Sequence, residues 1–240
     1  MKLIILENAQ QIAEQVSEIF IEQVNAKKNS VLGFATGASP VPTYELLVKA
    51  YEQGKLSLKD ITTFNLDEYC GIPASCEQSY RTFMFENLFG KTDVDPEKVN
   101  FLNGNAADFA AECREYEGKI AAAGGIDIQL LGVGVNGHIG FNEPSDKITD
   151  IPFAVELTDS TKQANSRYFE DGKVPDYALT MGIGDIMRAK KIVLIATGDS
   201  KKNAVKAIRD GEISSQCPAT FLRLHPDAVV FADKAAAALL

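Results

Sequence analysis

Short apolar segments recur along this chain with helix-like stretches between them, and that alternation constrains the fold more than any other feature. LIIL (3–6), VLGFAT (31–36), ITTFNL (61–66), VNFL (99–102), IDIQLLGVG (126–134), KIVLIAT (191–197) and AVVFAD (228–233) read as strands. A strand that is apolar on both faces can leave neither face in water, so it calls for a parallel sheet covered on both sides by helices. The intervening segments supply the helices. Ile12, Val16, Ile19, Phe20 and Val24 make a stripe at i, i+4, i+7 and i+8, and Phe109, Cys113, Tyr116 and Ile120 make another. Further helices are expected over about 43–52 and 80–88 and in SKKNAVKAI (200–208).

The expected fold is therefore α/β: a doubly wound, mostly parallel, Rossmann-like sheet with helices on both faces, forming a single domain over residues 1–240. No stretch is rich enough in Pro, Gly and Ser to be a linker, and no internal repeat is visible. Residues 142–180 are the least regular and read as a lid or insertion within that domain. A formal charge of −9, with lysines and arginines mostly single or paired, argues against nucleic acid as a partner. A small anion is still admissible, because a few local cations and N–H groups outweigh a distant net charge. The four cysteines (Cys70, Cys76, Cys113, Cys217) lack C-x-x-C spacing, so neither structural zinc nor a disulfide framework is expected. The apolar run Leu3–Leu6 is too short for a signal-peptide core, and no run approaches the roughly 20 residues of a membrane span. The expectation is a cytoplasmic protein with no membrane partner.

In open α/β sheets ligands gather at the carboxyl ends of the strands. Four strand ends here carry polar or glycine-rich loops: ATGASP (35–40), NLDEYCG (65–71), GVGVNGHIGFNEP (132–144) and ATGDSKK (196–202). The first three are expected to converge on one site, with the fourth bordering it. In ATGASP, Thr36, Gly37 and Ser39 fit an anion cradle at a helix N-terminus, and they fit equally an ordinary turn with Ser39 as helix cap. In ATGDSKK, one of Lys201 and Lys202 suits a phosphate and the other suits solvent. In NLDEYCG, adjacent Asp67 and Glu68 point oppositely if extended, so one of them faces a site as a candidate general base.

The third loop contains a literal G-x-G-x-x-G (Gly132, Gly134, Gly137), the pattern of a dinucleotide site. That pattern needs a helix after its third glycine. Here the chain continues HIGFNEP, which is poor helix material. His138 and Glu143 look instead like a proton-handling pair, since a carboxylate orients an imidazole. The only other histidine, His225, lies in a turn-like HPD segment, so a metal site is not expected.

Three motifs in this order and spacing, TFNLDEYCG, GVNGHIGFNEP and ANSRYF (164–169), strongly resemble the glucosamine-6-phosphate deaminase (isomerase) family, and the resemblance runs from LIIL to the last strand. It implies conversion of D-glucosamine 6-phosphate to D-fructose 6-phosphate and ammonia, with no metal or redox cofactor. It assigns Asp67 as the base that carries a proton from C2 to C1. It assigns His138, oriented by Glu143, to opening of the sugar ring. Thr36, Gly37, Ser39, Arg167 and Lys201 match the family's phosphate cradle. Two departures stand out. Larger members have Asp where this chain has Asn136; an amide cannot accept a proton, which leaves Glu143 to supply the charge and Asn136 to position His138 by hydrogen bonding. Hexameric members bind N-acetylglucosamine 6-phosphate through basic residues just after FNEP. DIPFAVEL (150–157) has Phe153 and Val155 and no Lys or Arg there, and the chain stops soon after its last strand, which implies a monomer without that allosteric site. The nearest rival is 6-phosphogluconolactonase, of similar fold with a related G-x-G-x-x-G-H loop; NLDEYCG and HIGFNEP favour the deaminase. A non-catalytic sugar-phosphate sensor is the third reading, and such sensors usually carry a helix-turn-helix for which this chain has no spare length.

Overall fold

A computed structural model of the chain describes residues 1–166, 169 and 172–240, apart from the side chains of Ser160 and Ala164. Seven strands form one sheet: β1 (Lys2–Leu6), β2 (Val31–Phe34), β3 (Thr62–Asn65), β5 (Val99–Asn100), β6 (Ile128–Gly132), β9 (Lys191–Ala196) and β10 (Ala228–Asp233). They lie in the order β1-β10-β9-β6-β2-β3-β5, and every neighbouring pair is parallel. Strand alternation sends side chains to two separate cores. Leu32, Phe34, Ile128, Leu130, Val193 and Ile195 pack on one face against α1 (Ala9–Ala26), α2 (Val41–Glu52) and α3 (Tyr80–Asn87). Val31, Leu131, Ile192, Leu194 and Ala196 pack on the other against α4 (Phe109–Ala122), α6 (Ile183–Met187) and α7 (Lys202–Asp210). The expected doubly wound sheet is what forms.

The helices depend on this packing as much as on propensity. α1 starts at Asn8, whose side chain accepts from the Gln11 N–H, and it buries Ile12, Val16, Phe20 and Val24 along one stripe. Each such large side chain contributes about 1.5–3 kcal/mol on burial, more than the few tenths by which helix propensities differ.

From β2 the chain winds outward to β3 and β5; from β6 it winds the opposite way to β9 and β10. The crevice between β2 and β6 is the switch point at which such sheets bind ligands. The four polar loops leave β9, β6, β2 and β3, four adjacent strands that straddle this point.

The sequence pattern does not show a second sheet. Leu66 extends β3, its N–H donating to the Phe34 carbonyl while its own carbonyl accepts from the Met181 N–H. The chain then leaves the main sheet as β4 (Asp67–Tyr69), which pairs antiparallel with β8 (Tyr177–Thr180), and β8 pairs antiparallel with β7 (Phe153–Glu156). NLDEYCG is thus not simply the end of an apolar strand. Residues 142–180, expected to be irregular, hold β7, α5 (Asp159–Asn165) and β8. A small aromatic core of Tyr69, Tyr80, Phe141 and Phe169 joins this sheet to the main body.

Candidate active site

The two acids of NLDEYCG separate as strand alternation requires. Glu68 turns to the outside of the site, where Oε1 accepts from the N–H groups of Tyr69 and Tyr80 and Oε2 from that of Arg81, each at 2.9 Å. It therefore anchors the first turn of α3 and is a structural acid. Asp67 is 7% exposed and takes no hydrogen bond at its carboxylate from any described residue. Burial, helped by the adjacent charge of Glu68, pushes its carboxyl up to about 8.

In register with Asp67 across β4 and β8 is Thr180, whose Oγ1 accepts from the Phe141 N–H at 3.2 Å. That bond draws the loop after β6 against the strand carrying Asp67. A Cβ added to Gly140 would lie 3.3 Å from Asp67 Oδ2 and 2.8 Å from Thr180 Oγ1, so only a glycine allows the approach. Asp67 and the His138 loop are walls of one cleft.

Within that loop the glycines serve the histidine. A Cβ on Gly134 would fall 2.2 Å from His138 Nδ1 and Cε1. The backbone closes tightly there: Gly134 N–H donates to the His138 carbonyl at 2.9 Å and Gly137 N–H to the Gly134 carbonyl at 3.0 Å. Gly137 has φ +86, a left-handed conformation that favours glycine, and its Cα lies against the Cys217 thiol. No helix follows Gly137, so the dinucleotide pattern is a tight turn that seats an imidazole.

His138 Nδ1 lies 2.8 Å from Asn136 Oδ1 and 3.3 Å from Glu143 Oε1. Both neighbours are acceptors, which places a proton on Nδ1 and leaves Nε2 with its lone pair. Asn136 is a bridge: its Oδ1 also accepts from the His138 backbone N–H, and its Nδ2 donates to Glu143 Oε2 at 2.8 Å. Glu143 Oε1 accepts in addition from Thr161 Oγ1 at 3.0 Å. Burial acts to raise the Glu143 carboxyl, but His138, Asn136 and Thr161 together outweigh it and hold it down at about 2.

The remaining two loops meet each other. Ser39 Oγ lies 3.4 Å from Thr197 Oγ1, which joins ATGASP to ATGDSKK. Ser39 is not the helix cap, since α2 begins after Pro40 without a side-chain cap. Gly37 (φ +100) and Gly198 (φ +87) turn the two loops, and the Gly198 N–H is held by the Asp233 carboxylate. Lys202 pairs with Asp199, whereas Lys201 is half-buried without an ion pair among the described residues. Burial lowers the Lys201 pKa, so an arriving anion would stabilise its charge. Thr36 stands half-buried beside Gly37. Arg167 lies outside the described residues. His225 is buried and bonded to the Ala189 carbonyl and the Asp227 N–H, away from this chemistry. Among the described residues no group of three His, Cys, Asp or Glu side chains is disposed to hold a metal ion, and no helix is long and apolar enough to cross a membrane. Sequence reasoning passed over Thr180 and Thr161; no local motif marks either, because each matters only through a partner 39 or 18 residues away.

A family model described as glucosamine-6-phosphate isomerases/6-phosphogluconolactonase matches residues 6–231. A glucosamine-6-phosphate deaminase of Thermoanaerobacter pseudethanolicus is 46% identical, covering 100% of this chain and 95% of that protein. One of Lysinibacillus sphaericus is 48% identical over 96% of this chain and 98% of its own length. A solved structure described as a monomeric glucosamine-6-phosphate deaminase superposes with a TM-score of 0.97 at 41% identity, covering 100% of both chains. A 6-phosphogluconolactonase of Thermotoga maritima shares the fold (TM-score 0.78, 97% of this chain and 99% of that one) at only 21% identity.

Proposed function

The chain belongs to the family of glucosamine-6-phosphate isomerases and 6-phosphogluconolactonases, and we propose that within it this protein is a glucosamine-6-phosphate deaminase, an enzyme of amino-sugar metabolism. The observation that carries the reading is the pair of acids in one site, Asp67 raised to about 8 and Glu143 lowered to about 2, with an imidazole whose Nε2 has no partner among the described residues. Hydrolysis of a lactone needs one base to activate water. A ring-opening isomerisation needs two proton handlers, one for the ring oxygen and one for the C2-to-C1 transfer, and His138 and Asp67 supply them.

The roles follow from position. His138 Nε2 handles the proton of the anomeric hydroxyl and ring oxygen as the pyranose opens, with Asn136 and Glu143 holding the Nδ1–H. Asp67, once ionised, removes the proton from C2 and returns it to C1. As C1 takes that proton, one amine proton passes to the C1 oxygen, so C1 becomes CH2OH and the amine-bearing carbon an imine, which water hydrolyses to the ketone, releasing ammonia. Proton transfer and hydrolysis complete this sequence without electron transfer. Thr36, Gly37, Ser39 and Lys201, joined by Arg167, hold the phosphate, and the 142–180 segment acts as the lid over it. A sugar-phosphate substrate fits a cytoplasmic protein. We expect a monomer, like the described 41% identical neighbour, and no response to N-acetylglucosamine 6-phosphate.

The test is a coupled assay on glucosamine 6-phosphate, in which equal amounts of ammonia and fructose 6-phosphate should appear. Hydrolysis of 6-phosphogluconolactone without ammonia release from the amino sugar would replace the proposal with its rival. Sedimentation as a hexamer, or activation by the N-acetylated sugar phosphate, would remove the expectation about assembly and regulation.

A further inference from the structure

Three groups hold Glu143, and one of them comes from outside its loop. Thr161 lies on α5 and donates from Oγ1 to Glu143 Oε1 at 3.0 Å. The direction of that bond is set locally. Thr158 Oγ1 donates to Thr161 Oγ1 at 3.0 Å and accepts from the Thr161 N–H at 3.2 Å, so the Thr161 proton is left to point at the carboxylate. The terminal torsion of a glutamate is soft. Asn136 grips only Oε2, and the approach of Oε1 to His138 Nδ1 is 3.3 Å. Without Thr161 the carboxylate can swing about the Asn136 bond. At its other end α5 is fixed too: Asn165 Nδ2 donates at 3.0 Å to the hydroxyl of Tyr69, two residues beyond Asp67 on β4. One short helix thus touches both walls of the cleft.

We infer that Thr161 is a positioning residue: its hydroxyl holds Glu143 Oε1 toward His138 Nδ1, where together with Asn136 Oδ1 it keeps the proton on Nδ1 and the lone pair on Nε2 for ring opening. The kinetic part rests on the deaminase reading; the effect on the imidazole does not. Thr161→Val keeps shape and removes the hydroxyl, and Thr161→Ser keeps the hydroxyl. Loss of this charge-assisted bond is expected to lower kcat on the cyclic sugar about tenfold in Thr161→Val, with KM unchanged and activity restored in Thr161→Ser. An open-chain amino-alditol phosphate, the substrate with its aldehyde reduced, has no ring to open and should bind all three proteins equally. In the enzyme without substrate, 15N NMR should show the His138 ring nitrogens of Thr161→Val shifting toward a tautomer mixture, while His225 stays put as an internal reference.

Unchanged kcat in the valine variant, a serine variant no better than valine, parallel loss of alditol binding, or unmoved His138 signals would each overturn the assignment. A wild-type protein that releases no ammonia would remove the deaminase reading instead, and the NMR comparison would still decide the role of Thr161.

Discussion

The strand carrying Asp67 and the loop carrying Glu143 pack against each other, and both bury a carboxylate, yet the two acids are driven in opposite directions. Asp67 is enclosed without a donor among the described residues, and burial raises it to about 8. Glu143 is also partly buried, but Asn136, Thr161 and the His138 Nδ1–H surround it and bring it to about 2. Glu68 shows which factor decides. It accepts three backbone N–H bonds and feels the Arg81 charge, and its carboxyl is nevertheless raised, because burial outweighs them. Glu143 differs in being less deeply buried and in having the His138 imidazole first among the groups that lower it. Environment, and not residue type, thus holds a proton on one acid near neutral pH and keeps the other charged.

The most severe way to break this contrast is Asp67→Asn. Loss of a general base at the reacting carbon is expected to lower kcat by about 10³-fold or more and to stop exchange of the C2 proton with solvent. Unchanged exchange would clear Asp67 of the role. In the wild type kcat/KM should climb as pH rises and level off above about 8, where Asp67 is ionised. The same substitution should stabilise the fold. The folded pKa lies above the unfolded value of 3.8, so between those limits the native state keeps a proton that the unfolded chain has lost. Wild-type stability therefore declines as pH rises from about 4 to about 8. The amide has no such decline, and at pH 8.5 the variant should melt at a higher Tm. Parallel melting curves across that range would mean that Asp67 is not buried as described.

Glu143→Gln tests the other wall, with an expected loss of about 10²-fold in kcat and little change in substrate binding. His138→Gln should cost at least as much, since it removes the group that Glu143 orients. The linkage has the opposite sign here. The folded pKa of Glu143 is below its unfolded value of 4.5, so its contribution is complete above 4.5 and is lost as pH falls toward 2. A Glu143→Gln protein should lack that part of the acid-induced fall in Tm; an identical acid limb would show that the carboxylate is not held as the structure has it.

How far these walls were legible in the sequence follows from the range of the interactions that build them. The seven-stranded sheet is legible because its central strands are apolar on both faces, a pattern that needs no knowledge of partners. Asp67, His138 and Glu143 stand out as candidates because each follows an apolar strand of the main sheet, although Asp67 itself lies in β4. β4, β7 and β8 are not legible, at three to four residues each, because a period of two needs longer runs to register. The split between Asp67 and Glu68 is legible only as an alternation. Which acid faces the cleft depends on α3, whose first N–H groups bind Glu68 from 12 and 13 residues away. The two lysines differ for a similar reason: Asp199 takes Lys202, while Lys201 makes no ion pair among the described residues.

Asn136 offers the mildest and most discriminating change. Its Nδ2 donates to Glu143 Oε2 at 2.8 Å, while its Oδ1 serves His138. Asn136→Asp would set two carboxylate oxygens at that spacing. Like charges so close cannot both ionise freely, so the pair would share a proton and one carboxyl would rise well above its usual value of about 4. With the proton shared, the bridge between His138 and Glu143 survives, and kcat should stay within about fivefold of wild type. As pH rises through the raised pKa the second charge appears, the bridge is lost, and both activity and Tm should fall relative to wild type. A variant that tracks wild type at every pH would show that the amide does not bridge the two residues. One inactive even in the proton-sharing range would show that His138 depends on the Asn136 amide itself, beyond what a shared proton can replace.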